Sequence, residues 1–544
     1  MAPPLLELEP NRGWVNTDRP LTFAEDLAGH VVLLYFFNGS RIACAHTNPD
    51  IAFLLKKWGS KPFAVIGVHS AKYDAERDRR VVADIVGRMG ITHPVVVDDN
   101  FRLWKRFQAE TWPHFVLVDP SGAVVGGTAG EGNVHVLDRY IQRLFSEADD
   151  KRTLAAESVS FSIPEDTQRG ALGSPSAVLA QQPSTGRDGY LFVSDARNDR
   201  VVVATFPDEY GRSRAVDVYG GVQAGGAGKS DGAAATGAGA QAQFRDPRGM
   251  AYDPHGGRLF IADRGNHAIR QIDIADRRVT TLVGDGTRGR DLQGGKSGRG
   301  QALASPFDVA FDPERNRVYA SLMGQHQIWE VELSTTLARP IAGCGTEGVY
   351  EGLGRAAMEA SFAHPAGIAI SSDNRLLYIV DAEGGAVRRL HLDDRVVRTI
   401  AGHEGTSVDD ESVLREFGDA DGHPSEARFQ RPLAISLWPT KLMDATGDTL
   451  LICDSYNGKI KRLDPTGSQS NGTPRIEGWH GNLESGDWSS TGLRLSEPAW
   501  MHMAMPMPGE GRKPMVFIAD TGARRIVQIE PGTKTWREVE IAGL

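Results

Sequence analysis

The chain has 544 residues, 40% hydrophobic and 24% charged, so it is too long for one hydrophobic core, and its 62 glycines point to many turns. A net charge of −10 argues against a nonspecific nucleic-acid binder, whose affinity rests on Lys and Arg neutralising phosphates; no apolar stretch reaches membrane-spanning length, and the start MAPPLLELEPNRGW lacks the basic and apolar regions of an export signal. Only Cys44, Cys344 and Cys453 occur, a set too sparse for a disulfide framework and suited to a reducing, cytoplasmic compartment.

In chain order, HVVLLYFF (His30 to Phe37) and FAVIGVHS (Phe63 to Ser70) are continuous apolar runs, the pattern of strands buried on both faces of an α/β sheet. Helical spacing of apolar residues follows each of them, over Asp50–Trp58 and Arg79–Met89. Next come the strand His93–Asp99, the short helix FRLWKRF, two strands in HFVLVDPSGAVVGG joined at Asp119–Gly122, and an amphipathic helix from Asn133 to Phe145. This order is similar to that of a thioredoxin-like domain, expected over residues 1–150. Chemistry in such domains sits where the first long strand enters the next helix, because the helix N-terminus stabilises a thiolate. Here that place reads Phe36–His46 with Arg41 where a CxxC needs its first cysteine, leaving Cys44 without a nearby resolving thiol. Pro113, after Trp112 and before the strand HFVLVDP, occupies the position of the proline that faces the active cysteines. Cys44 therefore reads first as a small buried apolar residue, and otherwise as a monothiol activated by Arg41 that reacts with peroxide or an electrophile. His46 and His114 lie close to the same position and read as structural.

Residues 151–173 read as a linker holding a strand-like segment, Val159–Ile163, and from 174 to 544 a unit recurs six times. Aligned on one position, the copies are FVSDARNDRVVV, FIADRGNHAIRQI, YASLMGQHQIWEV, YIVDAEGGAVRRL, LICDSYNGKIKRL and FIADTGARRIVQI. The aligned residues are Asp195, Asp263, Leu322, Asp381, Asp454 and Asp520, and each copy is preceded by a proline at 175, 247, 306, 365, 432 or 498. Four short strands per unit, six times over, predict a closed β-propeller. Each aspartate is expected to accept hydrogen bonds from the backbone of its own turn. TWREVEIAGL matches the outer strands and is expected to take part in ring closure, with Val159–Ile163 as a candidate strand beside it.

The segments PRGMAYDP, GRLFIADRGNHAIRQID and VTTLVGDG resemble the NHL repeat, with its Asn-His pair at Asn266–His267. Together with GWVNTDRPLTFAEDLAGHVVLLYFF, GVHSAKYD and TWPHFVLVDPSG, they make the chain similar over nearly its whole length to the thioredoxin-like NHL-repeat proteins. That family carries Cys-Cys-x-x-Cys where this chain has Ser40-Arg41-Ile42-Ala43-Cys44, so the resemblance comes without the thiols that disulfide exchange needs.

Long glycine-rich inserts lead into the prolines, and phenylalanines 244, 362 and 429 near their ends are expected to pack beneath the rim they share with the b–c turns. Arg248, Asp308, His364, Arg431 and Glu497, with Asp246, are the candidate ligand-binding ring on that rim, suited to a protein or a small polar ligand and expected to bury little apolar area. The turns at Asp253–Gly256 and Asp312–Arg315 lie on the opposite face. Met501, Met503 and Met505 read as propeller core, and His364 and His502 alone do not form a metal site, so no metal or cofactor is expected. The reading that results is a binding scaffold with a redox-degenerate thioredoxin-like domain. The alternatives are a thiol enzyme or peroxide sensor using Cys44, and a propeller-channel enzyme acting on a small molecule.

Overall fold

The computed structural model describes residues 8, 13–159, 161, 171–221, 228–233, 241–352, 354, 356–407, 411–438, 448–466, 474–481, 492–507, 509–531 and 535–544. The chain divides into two compact units, Met1–Gln168 and Arg169–Leu544.

The first unit is a six-stranded sheet in the order β1-β4-β3-β2-β5-β6, with β1 Trp14–Val15, β2 Val31–Phe37, β3 Phe63–Ser70, β4 Val95–Asp98, β5 His114–Val118 and β6 Val124–Ala129. β2, β3 and β4 run parallel and β5 antiparallel to β2. Every residue of β2 and β3 is buried, as a strand covered on both faces requires. The helices are α1 Ile42–Trp58, α2 Arg79–Arg88, α3 Arg102–Arg106 and α4 Val134–Lys151. One core joins α1, α2 and α4 to Val31, Leu33 and Val65, and a second uses the alternate residues Val32, Leu34 and Ile66. That alternation follows from the two-residue period of a strand. This unit is a thioredoxin-like α/β domain.

The second unit is a six-bladed propeller. Each blade is a meander of strands a to d, with the a strands at Pro175–Gln181, Pro247–Asp253, Pro306–Asp312, Pro365–Ile370, Pro432–Trp438 and Pro498–Ala504. Successive a strands touch one another, and that of blade 6 touches that of blade 1, so the ring is closed. Thr535–Glu538 is strand d of blade 6, and Glu540–Ala542 then pairs in parallel with strand d of blade 1, Arg212–Gly220. The chain's last strand thus finishes the first blade. Of the segment expected beside it, Val159 and Phe161 pack against the core of the thioredoxin-like unit and the remainder lies outside the described residues.

Candidate functional site

The turn from β2 into α1 is held from below. Asn38 Nδ2 donates to Glu76 Oε2 at 2.7 Å and to the Ser70 carbonyl at 3.1 Å, while its Oδ1 accepts from the Ser40 amide at 2.8 Å. Arg41 is the N-cap residue of α1 and makes no side-chain cap bond. Cys44 follows in the first helical turn and is fully buried; its Sγ accepts from the Asn38 amide at 3.5 Å, and its carbonyl accepts from the Tyr35 hydroxyl at 3.1 Å. The Trp112–Pro113 bond is cis, and β5 begins beside it with His114 paired to Phe36, which puts Pro113 at the sheet end where β2 enters its turn. His46 Nδ1 lies 3.0 Å from Glu131, and burial holds the His114 imidazole below its ordinary range, with Glu110 opposing. The His114 ring meets Phe36 edge-on, with centroids 6.1 Å apart.

In the propeller, each repeat proline pairs across strands a and b with the aligned Asp or Leu, for example Pro247 with Asp263 and Pro306 with Leu322. The b–c turns and the inserts therefore emerge at one end of every blade. The aligned carboxylates correct the expectation that they accept from the backbone of their own turns: from the turn, Asp195, Asp263 and Asp454 take only an Asn side chain, Asn198, Asn266 and Asn457. The aspartate Oδ1 atoms accept from the arm that precedes strand a: Asp195 from the Ser174 amide at 2.9 Å, Asp263 from Arg245 at 2.9 Å, Asp454 from Gln430 at 2.8 Å and Asp520 from Ser496 at 2.9 Å. Each of these four Asp residues ties the incoming insert to its blade. In blade 3, where Leu322 stands, Gln325 Oε1 accepts from the Ala304 amide at 2.9 Å instead.

Below this layer, blades 2, 4 and 5 bury a cation on strand c beneath the insert phenylalanine. Arg270 lies 5.0 Å from the Phe244 ring, Arg388 5.1 Å from Phe362 and Lys461 5.3 Å from Phe429. The same cations face Asp263 at 2.8 Å, Asp381 at 3.6 Å and Asp454 at 3.5 Å.

The predicted ring separates into three clusters and one inward residue. Arg248 pairs with Asp246 at 2.7 Å, and Arg264 holds the same carboxylate. Arg431 donates to the Tyr456 hydroxyl at 2.8 Å, lies 4.9 Å over its ring, and reaches Glu497 at 3.6 Å. His364 stacks on His326 with ring centroids 5.4 Å apart and faces Glu347 and Glu383. Asp308 is buried beside the channel strands, accepting from the Val309 amide at 2.6 Å and from Ile368 of blade 4 at 2.7 Å; burial holds its carboxyl well above the usual range. The side chains of Arg248 and Arg431 are only 12% and 14% exposed, so both lie within the rim and do not project from it. His326, Glu347 and Tyr456 were not singled out from sequence. His326 had one signal, its alignment with His267 of the repeat's Asn-His pair.

Among the described residues no helix is long and apolar enough to cross a membrane. A thioredoxin-like family model matches residues 29–124 and an NHL-repeat model matches residues 244–272. Protein SUPPRESSOR OF QUENCHING 1, chloroplastic, of Arabidopsis thaliana is 35% identical over 519 residues, 95% of this chain and 46% of the plant protein. NHL repeat-containing protein 2 of Bos taurus is 30% identical over 545 residues, 96% of this chain and 69% of the cattle protein. The chain thus spans about half the length of the first relative and about two thirds of the second. Among solved structures, a thiol-disulfide isomerase from Corynebacterium glutamicum is 26% identical, covering 27% of this chain and 97% of its own, with a TM-score of 0.24.

Proposed function

Because the chain belongs to the family of NHL repeat-containing protein 2, we propose that it is a binding protein whose propeller rim recognises a protein or a small polar ligand, with a thioredoxin-like domain that does not exchange disulfides. The observation that carries this reading is the full burial of Cys44 behind Arg41. A thiolate must reach its disulfide in line, and a resolving thiol must then release the mixed disulfide; this turn supplies neither access nor the second sulfur. No disulfide joins Cys44, Cys344 or Cys453, which supports a reducing, cytoplasmic compartment.

In an insulin-reduction assay with dithiothreitol as donor, the protein is expected to give no turnover above background. Turnover that disappears in Cys44→Ser overturns the reading. For the rim, Arg248→Ala and Arg431→Ala are expected to weaken partner capture, compared at equal folded fraction with the opposite-face variants His255→Ala and Glu314→Ala. Loss of the partner in the turn variants alone places recognition on the other face.

A further inference from the structure

The rim carries two histidines at corresponding b–c turn positions, and their surroundings set them in opposite tautomers. His267 Nδ1 accepts from the Ser305 amide at 3.1 Å, so its lone pair is directed into the blade junction and its proton is on Nε2. His326 Nδ1 lies 3.1 Å from the Phe362 carbonyl, which can only accept, so Nδ1 carries a proton and, in the neutral ring, Nε2 is the nitrogen that offers a lone pair. A ring nitrogen fixed by a backbone carbonyl while the other presents its lone pair is the arrangement of a metal-ligating histidine.

The second histidine repeats this logic with a carboxylate. His364, whose side chain is only 3% exposed, has Nδ1 at 3.5 Å from Glu383 and Nε2 at 3.8 Å from Glu347. The latter separation is too long for a hydrogen bond. It is close to the ~3.4 Å that separates two donors on a tetrahedral zinc ion with bonds of about 2.1 Å. Potential ligand atoms of His326, Glu347 and His364 all lie within 4.8 Å of one another. Three carboxylates, those of Glu347, Glu383 and Asp381, gather here, and the nearby buried cation Arg388 faces Asp381.

We propose that the junction of blades 3 and 4 is a divalent transition-metal site of the zinc class, held by Nε2 of His326, Nε2 of His364 and the Glu347 carboxylate, with Glu383 orienting His364. Two imidazoles and one carboxylate suit zinc and leave a fourth position for water or a ligand. At the junction of blades 2 and 3 Ser305 takes the place of His364, and among the described residues His267 belongs to no such cluster. The site stands independently of partner recognition, since binding is measured with metal alone.

The test uses the full chain, stripped with EDTA, dialysed, and titrated with Zn²⁺ against a chromophoric chelator. One zinc per chain is expected, with a visible Co²⁺ spectrum of four-coordinate intensity. His326→Ala and His364→Ala should each weaken binding by about a hundredfold or more, and Glu383→Gln by roughly tenfold. His267→Ala, His502→Ala and Cys344→Ser should leave it unchanged. Because His364 is buried and its loss can unfold the blade, the partly exposed His326 provides the deciding variant, with its metal-free melting temperature as the folding control. Wild-type protein that retains no zinc, or His326→Ala that binds as tightly as wild type, overturns the assignment.

Discussion

Blades 2 and 3 have the same strands in the same register, yet the layer beneath their rims is built from opposite chemistry. Blade 2 buries Phe244, Asp263 and Arg270; at the corresponding places blade 3 buries Leu303, Leu322 and Trp329, which share one apolar cluster. Blades 4 and 5 follow blade 2 with Phe362, Asp381 and Arg388 and with Phe429, Asp454 and Lys461. Blades 1 and 6 take a third course: Leu172 with Val202 and Leu495 with Val527 fill the layer, while Arg200 and Arg525, the first residues of their c strands, hold Asp195 and Asp520. The three positions change together because each depends on the others. A buried carboxylate needs its cation, and the cation needs an aromatic face or further oxygens around it.

The largest break in this comparison should come from Arg270→Leu, which leaves Asp263 buried without its cation. Unfolding by denaturant should show a loss of about 3–5 kcal/mol. Leu322→Asp asks the converse question, placing a carboxylate against Trp329, and should cost about 3 kcal/mol; adding Trp329→Arg should recover at least roughly 1 kcal/mol of it in a double-mutant cycle. If the double variant is no better than the sum of the singles, the layers are not interchangeable units. A smaller effect, about 1–2 kcal/mol, is expected for Phe244→Leu, which removes the ring from Arg270, whereas Leu303 in blade 3 performs the same packing with no cation to cover.

The smallest effect is one of pH. Burial pushes the Asp381 carboxyl up to about 7, with Arg388 opposing. The folded chain therefore keeps a proton that the unfolded chain releases near pH 4, so this group's contribution to stability is present below pH 4 and is lost as pH rises through about 7. Asp381→Asn should shrink the fall in melting temperature between pH 5 and 8 by about 2 °C. An unchanged slope would locate the pH dependence elsewhere.

Much of the architecture was legible because its signals are local. Two-residue alternation, the recurring prolines and the aligned aspartates fix the blades, and the buried runs of β2 and β3 fix the first domain. Arg41 and Cys44 could also be placed, since a strand-to-helix junction is a local feature. What escaped was set by contacts between blades. Asp308 reads as a rim residue, but Gly249 on the neighbouring strand leaves room for its carboxylate; a Cβ built there would lie 2.1 Å from Asp308 Oδ1. His326, Glu347 and His364 are separated by spacings with no metal-ligand signature and meet only where one blade's turn reaches the next blade's arm. The aspartates were found, but their acceptor role across the blade was not, because the donating amides lie 18 to 24 residues away in sequence.

The parallel pairing of Glu540–Ala542 with the outer strand of blade 1 has a consequence for biosynthesis. The stretch of that strand which it covers, Arg212–Arg214, waits for a partner made some 325 residues later. At about 5–20 residues per second, a ribosome leaves this edge uncovered for roughly 15–60 seconds. During that interval an unpaired row of amides and carbonyls is open to strands from other chains. Nascent chains stalled before residue 540 should therefore be the aggregation-prone species, and shielding of this one edge by a chaperone should matter more than shielding of any later blade.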